Sequence, residues 1–77
     1  MEYTVLIHAA EEGGFWAEVP SLDGCFAQGE SVEETIEDAR GSIASHLEAL
    51  GADGQPIPVD RVLIIATVAV PRTPAVA

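Results

Sequence analysis

Short apolar runs separated by turn residues occupy the N-terminal part of the chain and predict β-strands. Residues 3–10 are rich in Val, Ile and Tyr, which favour strands. A Glu-Glu-Gly-Gly turn and a second apolar run at residues 15–19 complete a predicted hairpin, because the two glycines can adopt positive φ. Pro20 ends this strand, since it has no backbone N–H to donate. After a turn at residues 21–24, residues 25–30 form the third strand of an antiparallel meander.

A helical period replaces the strand pattern after Ser31. Ser31 and Glu34 have the spacing of a capping box, in which both side chains accept hydrogen bonds from the free N–H groups of a helix start. Apolar residues then recur at steps of three and four, which predicts a helix over residues 32–50. Gly51 suits the position just after its end. The apolar stripe comprises Val32, Ile36, Ala39, Ile43, Leu47 and Leu50.

The C-terminal part of the chain predicts a loop, a strand and a tail. Residues 51–60 contain two glycines and two prolines, as loops do. Residues 61–70 lack polar alternation, which predicts burial on both faces, and their three Val and two Ile favour a strand over a helix. Residues 71–77 read as a disordered tail. The predicted fold is α+β with the order βββαβ, a single domain at residues 1–70.

The predicted helix can cover only one of the two faces of the predicted sheet. One helix packs on one face, and side chains alternate between faces along each strand. The face expected to contact the helix carries Val5, Ile7, Phe15, Ala17 and Val19. The other face carries Leu6, His8, Trp16, Glu18, Phe26 and Gln28. Because an uncovered apolar patch normally marks an interface, these six residues are the candidate contacts with a partner or a second copy.

The size of the chain also predicts association. A domain of 77 residues buries only about 60% of the surface that its unfolded chain exposes, so its core is marginal. The single cysteine excludes an intrachain disulfide, and one Cys with two distant His residues has no zinc-ligand spacing. We therefore expect a homodimer or homotetramer, with no metal and no cofactor.

The charge balance narrows the range of partners. Three Arg, no Lys and 13 acidic residues give a net charge of −10, which disfavours direct contact with nucleic acid or an anionic membrane. The acidity either serves solubility or complements a basic protein. The N-terminus has no signal-peptide pattern, and the longest apolar run, residues 62–70, is about half of a membrane span. We expect a cytoplasmic protein.

Two stretches of the chain carry a combined pattern. Residues 14–25 read Gly-Phe-Trp-Ala-Glu-Val-Pro-Ser-Leu-Asp-Gly-Cys, and residues 29–36 read Gly-Glu-Ser-Val-Glu-Glu-Thr-Ile. This pattern resembles the HicB-like antitoxin family, with its strand ending in Val-Pro-x-Leu-x-Gly-Cys and its capping box before the helix. The Pro-Ile-Pro of residues 56–58 resembles that family's approach to the last strand. The similarity covers residues 3–70.

The resemblance implies a partial ribonuclease H-like fold and membership of a type II toxin–antitoxin system. The expected partner is a HicA-type toxin, a small basic ribonuclease that cleaves mRNA, whose catalytic histidine and RNA-binding surface the antitoxin would cover. Many family members carry a C-terminal DNA-binding segment. Only a short Pro-containing stretch follows the last predicted strand here, so we do not expect this chain alone to repress transcription.

Two other functions stay open at this point. One is an orphan HicB-like homo-oligomer with no toxin, whose open face is consumed by self-association. The other, a divalent-metal nuclease, is disfavoured because the predicted strands offer few carboxylates. His8 and Glu18 could form an acid–base pair across the hairpin, but a structural or interface role suits them better. Cys25 is expected to fill apolar space. Because none of these groups is expected to be catalytic, we predict no enzymatic activity.

Overall fold

Three short strands form an antiparallel sheet in the order β1-β2-β3, followed by one helix. The computed structural model describes residues 1–61 and 63–74. The elements are β1 (Leu6–Ala9), β2 (Phe15–Glu18), β3 (Phe26–Gly29) and α1 (Val32–Ala52). The α+β class and the predicted order of three strands and a helix are confirmed.

Each strand is shorter than its apolar run predicted. Gly13 and Gly14 form the hairpin turn with φ values of 100° and 73°, as the Gly-Gly pair predicted. At the other end of β1, the N–H of Thr4 donates to a side-chain oxygen of Asp60 instead of a strand. Pro20 follows β2 closely and supplies no donor of its own. Local side-chain and proline chemistry therefore trims the ladder at this end of the sheet.

The start of α1 matches the predicted capping box with one shift. The Ser31 hydroxyl accepts from the N–H of Glu34 at 3.1 Å. The Glu34 carboxylate accepts from the N–H of Glu30 at 2.9 Å, one residue before the cap. The helix was predicted to end near Leu50 with Gly51 just after it, but α1 continues to Ala52 and the positive φ of 69° falls on Gly54.

The core lies between α1 and the sheet, mainly over β3 and less over β2. Its buried members are Ala17, Val19, Leu22, Cys25, Ala27, Thr35 and Ala39. Ile7 of β1 and Val5, just before it, pack against this core, as their predicted face requires. The small side chains of Ala17, Ala27 and Ala39 form the centre of the core, which lets the helix lie close to the sheet.

The fourth strand predicted at residues 61–70 is not confirmed. Neither residue 61 nor residues 63–70 pair with a strand of the described chain, and Val62 lies outside the described residues. The predicted burial on both faces is also wrong for the single chain, because residues 63–70 are exposed. A strand needs a neighbour for its backbone groups, and this segment leaves the domain without one. Of the predicted tail, residues 71–74 are exposed, and residues 75–77 lie outside the described part.

Candidate functional site

The strand register brings the six candidate interface residues onto one face of the sheet. Leu6 pairs with Glu18, which pairs in turn with Phe26. His8 pairs with Trp16, which pairs with Gln28. Residues directly opposite each other in a ladder point to the same side, so alternation placed all six correctly. Their contact with a partner stays a prediction. We call this surface the open face.

Two aromatic residues dominate the open face. Trp16 is 40% exposed and Phe26 is 58% exposed, although both belong to residue types that normally bury much of their surface. The indole of Trp16 stacks on the imidazole of His8, with ring centroids 4.2 Å apart and planes inclined by 18°. The two rings thus support each other on the open face, where a partner would meet an aromatic surface.

The predicted pairing of His8 and Glu18 across the hairpin is present. The His8 Nε2 atom lies 3.5 Å from the Glu18 Oε1 atom. The Nε2 atom is covered and makes no hydrogen bond with any described residue, although the side chain as a whole is partly exposed. The ring is therefore held by stacking and by a nearby carboxylate.

An acidic rim borders the open face at the hairpin end of the sheet. Here an open concavity of about 990 Å³ is lined by His8, Trp16 and Gln28 from the open face. Five carboxylates line the same concavity: Glu11, Glu12, Glu30, Glu34 and Asp38. Two come from the hairpin turn, and the other three come from the junction of β3 with α1 and the first turns of α1, which lie far from the hairpin turn in sequence. The sequence pattern placed Glu11 and Glu12 in a turn and Glu34 in a capping box but did not predict this convergence, because it depends on how α1 crosses β3.

The remaining candidate chemistry is sparse in the part of the chain that the structure describes. Residues 1–61 and 63–74 contain no group of three or more His, Cys, Asp or Glu side chains placed to hold a metal ion. Cys25 is buried, and burial raises the pKa of its thiol above the ordinary 9.0, as an apolar filler requires. Within the same ranges, no helix has the length and apolar character needed to cross a membrane.

Fold and surface together define an α+β domain whose sheet is covered by a helix on one face and open on the other. A family model described as the HicB_like antitoxin of bacterial toxin-antitoxin system matches residues 3–72. The chain therefore belongs to the HicB-like antitoxin family.

Individual relatives agree with this membership. A UPF0150 protein of Synechocystis sp. is 55% identical over 49% of this chain and 52% of its own length. A second Synechocystis UPF0150 protein is 37% identical over 80% of this chain and 78% of its own. A UPF0150 protein of Thermoplasma acidophilum is 37% identical over 78% and 87% of the respective chains.

A solved structure is also similar in fold. It is a chain of a HicA3 and HicB3 toxin-antitoxin complex, with a TM-score of 0.62 and 36% sequence identity. The match covers 73% of this chain and 64% of that chain. The present chain thus spans less than two thirds of this neighbour, and about half of the first Synechocystis relative.

Proposed function

We propose that this chain is an antitoxin that neutralises a basic HicA-type, mRNA-cleaving toxin by binding it directly through the open face and the acidic rim. The observation that carries the proposal is the position of two exposed aromatics, Trp16 and Phe26, on a face bordered by five carboxylates. Family membership supplies the class of partner. The similarity to a chain of a toxin-antitoxin complex supports the same partner.

The acidic rim and the open face would compete with RNA for the toxin. A ribonuclease that binds mRNA needs a basic surface for the phosphates. The acidic rim offers carboxylates in place of those phosphates, and the net charge of −10 speeds encounter with a basic protein. The stacked Trp16 ring and the exposed Phe26 ring provide apolar area that excludes water from the centre of the contact. The charges would speed association with the toxin, and the aromatic residues would stabilise the complex once it has formed.

The first experiment is co-purification of this chain with the product of the adjacent reading frame. The Kd of the purified complex is then measured at about 50 mM and 300 mM salt, between which the Debye length falls by more than half. We expect a stable complex with a Kd that rises with salt, together with loss of RNA cleavage by the toxin. Absence of any complex at low salt, with this chain running alone as a homo-oligomer, would leave the orphan homo-oligomer as the better explanation.

The contribution of the open face is tested with a matched pair of apolar truncations. We expect Phe26→Ala to raise the Kd for the toxin by roughly 5- to 100-fold, the range of a buried aromatic contact. Val59→Ala is the control, since Val59 is exposed but lies in the loop after α1, outside the open face. Both variants should keep the circular dichroism of the parent. Equal effects of the two substitutions would refute a specific role for the open face.

The contribution of the acidic rim is tested with charge-matched double variants. Glu11→Gln with Glu12→Gln removes two carboxylates from the rim, whereas Glu48→Gln with Asp53→Asn removes two from the C-terminal half of α1 and its cap. Both doubles change the net charge equally. We expect only the variant with both rim substitutions to associate severalfold more slowly with the toxin and to show a weaker dependence of the association rate on salt. If both doubles slow association equally, net charge and not the rim governs encounter.

A further inference from the structure

The C-terminal arm, residues 63–70, is a continuous exposed apolar segment. Ile64 is 84% exposed and Val68 is 81% exposed, and no residue from 63 to 70 is charged. The radius of gyration is 16.7 Å, against about 11.5 Å for a compact domain of this length. The longest dimension is 58 Å, roughly twice the next. The arm therefore extends away from the domain.

The start of the arm is fixed to the domain by side-chain hydrogen bonds. Asp60 accepts from the N–H of Thr4 at 3.0 Å and from the Thr4 hydroxyl at 2.7 Å. Ser21 donates to the Asp60 carboxylate at 3.0 Å and accepts from the N–H of Arg61 at 2.9 Å. The Arg61 guanidinium donates to the carbonyl of Pro20. These contacts hold the base of the arm at one end of the sheet.

The domain has an open strand edge at β1. The N–H of Ala10 donates to the carbonyl of Gly14 at 3.0 Å, so the even-numbered residues of β1 point their backbone groups at β2. The backbone groups of Ile7 and Ala9 then face outward. No strand of the described residues pairs with β1 on that side. β1 is therefore available for a further strand.

The opposite edge of the sheet is blunted. The N–H of Gln28, on β3, donates to the carboxylate of Asp38 from α1 at 2.9 Å. A charged side chain bonded to an edge strand discourages another strand from pairing there. An added strand would therefore pair with β1 and not with β3.

A groove of about 310 Å³ lies beside the start of β1 on the helix side. Val5, Ile36, Ala39 and Ile43 give it an apolar floor, and Met1, Glu2, Tyr3 and Arg40 also line it. Ile36 belongs to the apolar stripe of α1 but is 43% exposed, because a sheet of three strands is too narrow to cover it. A strand added at β1 would extend the sheet under this part of the helix and bury Ile36.

We propose that the arm of one copy of this chain adds as a fourth strand to the β1 edge of a second copy. An eight-residue strand is about 26 Å long, enough to run past β1. The arm is apolar on both of its faces. This composition suits a strand that has the groove on the helix side of the sheet and the row of Leu6 and His8 on the other side. In its own chain the arm instead extends away from the sheet, which indicates an acceptor in another copy.

Charge also favours a second copy as the occupant. Asp60 is the last of the 13 acidic residues, whereas Arg61 and Arg72, two of the three basic residues, flank the arm. The arm region is therefore positive and the domain strongly negative, so docking of the arm brings opposite charges together. The contact uses the edge of β1 and the groove, and it does not require the exposed aromatics Trp16 and Phe26 of the open face.

The assay is the molar mass of the full chain by size-exclusion chromatography with light scattering. We expect about twice the chain mass of 8.0 kDa for the unmodified protein. Val68→Asp places a charge in the proposed strand and should raise the dimer Kd at least about hundredfold. Val59→Asp makes the same change at an exposed site before the arm and should stay dimeric. A monomeric unmodified protein, or equal dissociation of both variants, would overturn the proposal.

A complementation experiment separates exchange between copies from closure within one chain. Val68→Asp has a defective arm and a sound groove, and Ile36→Glu has a sound arm and a defective groove. Each variant alone should run at 8.0 kDa with unchanged circular dichroism. In an equimolar mixture, the intact arm of Ile36→Glu can pair with the intact edge and groove of Val68→Asp, but only if the arm binds another copy. We therefore expect mixed dimers in a pull-down with two tags. A mixture that stays monomeric while the unmodified protein is dimeric would refute exchange of the arm.

Discussion

Gly29 lies where β3 runs under the first turn of α1, and it has no room for a side chain. A Cβ atom built on Gly29 would lie 2.6 Å from the N atom of Thr35 and 2.8 Å from its Oγ1. It would also lie 2.9 Å from the carbonyl carbon of Glu34. Two of these three atoms are helix backbone, which cannot rotate away. Thr35 is itself fully buried, with its hydroxyl donating to the Ser31 carbonyl at 2.8 Å.

Gly29→Ala should therefore separate the helix start from the sheet. All three contacts fall several tenths of an ångström short of the 3.4 Å at which ordinary Cβ contacts begin. Overpacking that requires backbone movement costs about 3 kcal/mol. A domain of this length has a total stability of about 4–12 kcal/mol, so the loss would be a large fraction of it. The melting temperature should fall by roughly 12–24 °C.

The assay is urea unfolding followed by circular dichroism, at one fixed protein concentration because association contributes to stability. Two further Gly→Ala variants separate the causes. Gly13→Ala meets nothing within 4 Å but has a φ of +100°, so backbone strain alone should cost about 1–2 kcal/mol. Gly41→Ala, in open space on α1, should gain about 0.5–1 kcal/mol. If Gly29→Ala costs no more than Gly13→Ala, the reasoning about close approach is wrong.

Two ionisable groups give further predictions. The Thr4 hydroxyl, followed by the Thr4 N–H, lowers the pKa of Asp60 below the ordinary 3.8, and Ser21 contributes less. This stabilisation is complete above the ordinary value and is lost as the pH falls through the lowered folded pKa. In a carboxyl NMR titration, Thr4→Val should raise the Asp60 pKa more than Ser21→Ala does, and the reverse order would contradict this assignment. For Cys25, burial and a raised thiol pKa predict that alkylation of the native protein at pH 8 is at least about tenfold slower than in denaturant; comparable rates would show an accessible thiol.

Much of the fold follows from local patterns in the sequence. The period of two along the strands fixed which residues share a face, because a register error of one residue would have reversed every assignment. The register pairs His8 with Trp16 and Trp16 with Gln28, in agreement with that period. The helix start was equally local, since Ser31 and Glu34 act within a few residues of each other.

The features that sequence reasoning missed depend on contacts between distant segments. Asp60 withdraws the Thr4 N–H from the ladder across 56 residues, so the start of β1 could not be predicted from the apolar run alone. The acidic rim likewise combines the hairpin turn with the helix start. The end of α1 moved past Gly51 because Gly54 supplies the positive φ. Here two glycines compete, and local preference does not distinguish them.

The exposure of the arm differs from what its composition predicts. A β-branched run without polar alternation is the pattern of a strand buried on both faces, yet residues 63–70 are exposed in the single chain. An exposed segment of this composition is an aggregation hazard unless a specific partner covers it. Arg61 on one side and Pro71 with Arg72 on the other oppose open-ended stacking, since charge and proline at the ends of a strand limit further pairing. Both the apolar run and its flanks are therefore suited to one closed contact, as the proposed exchange between two copies would provide.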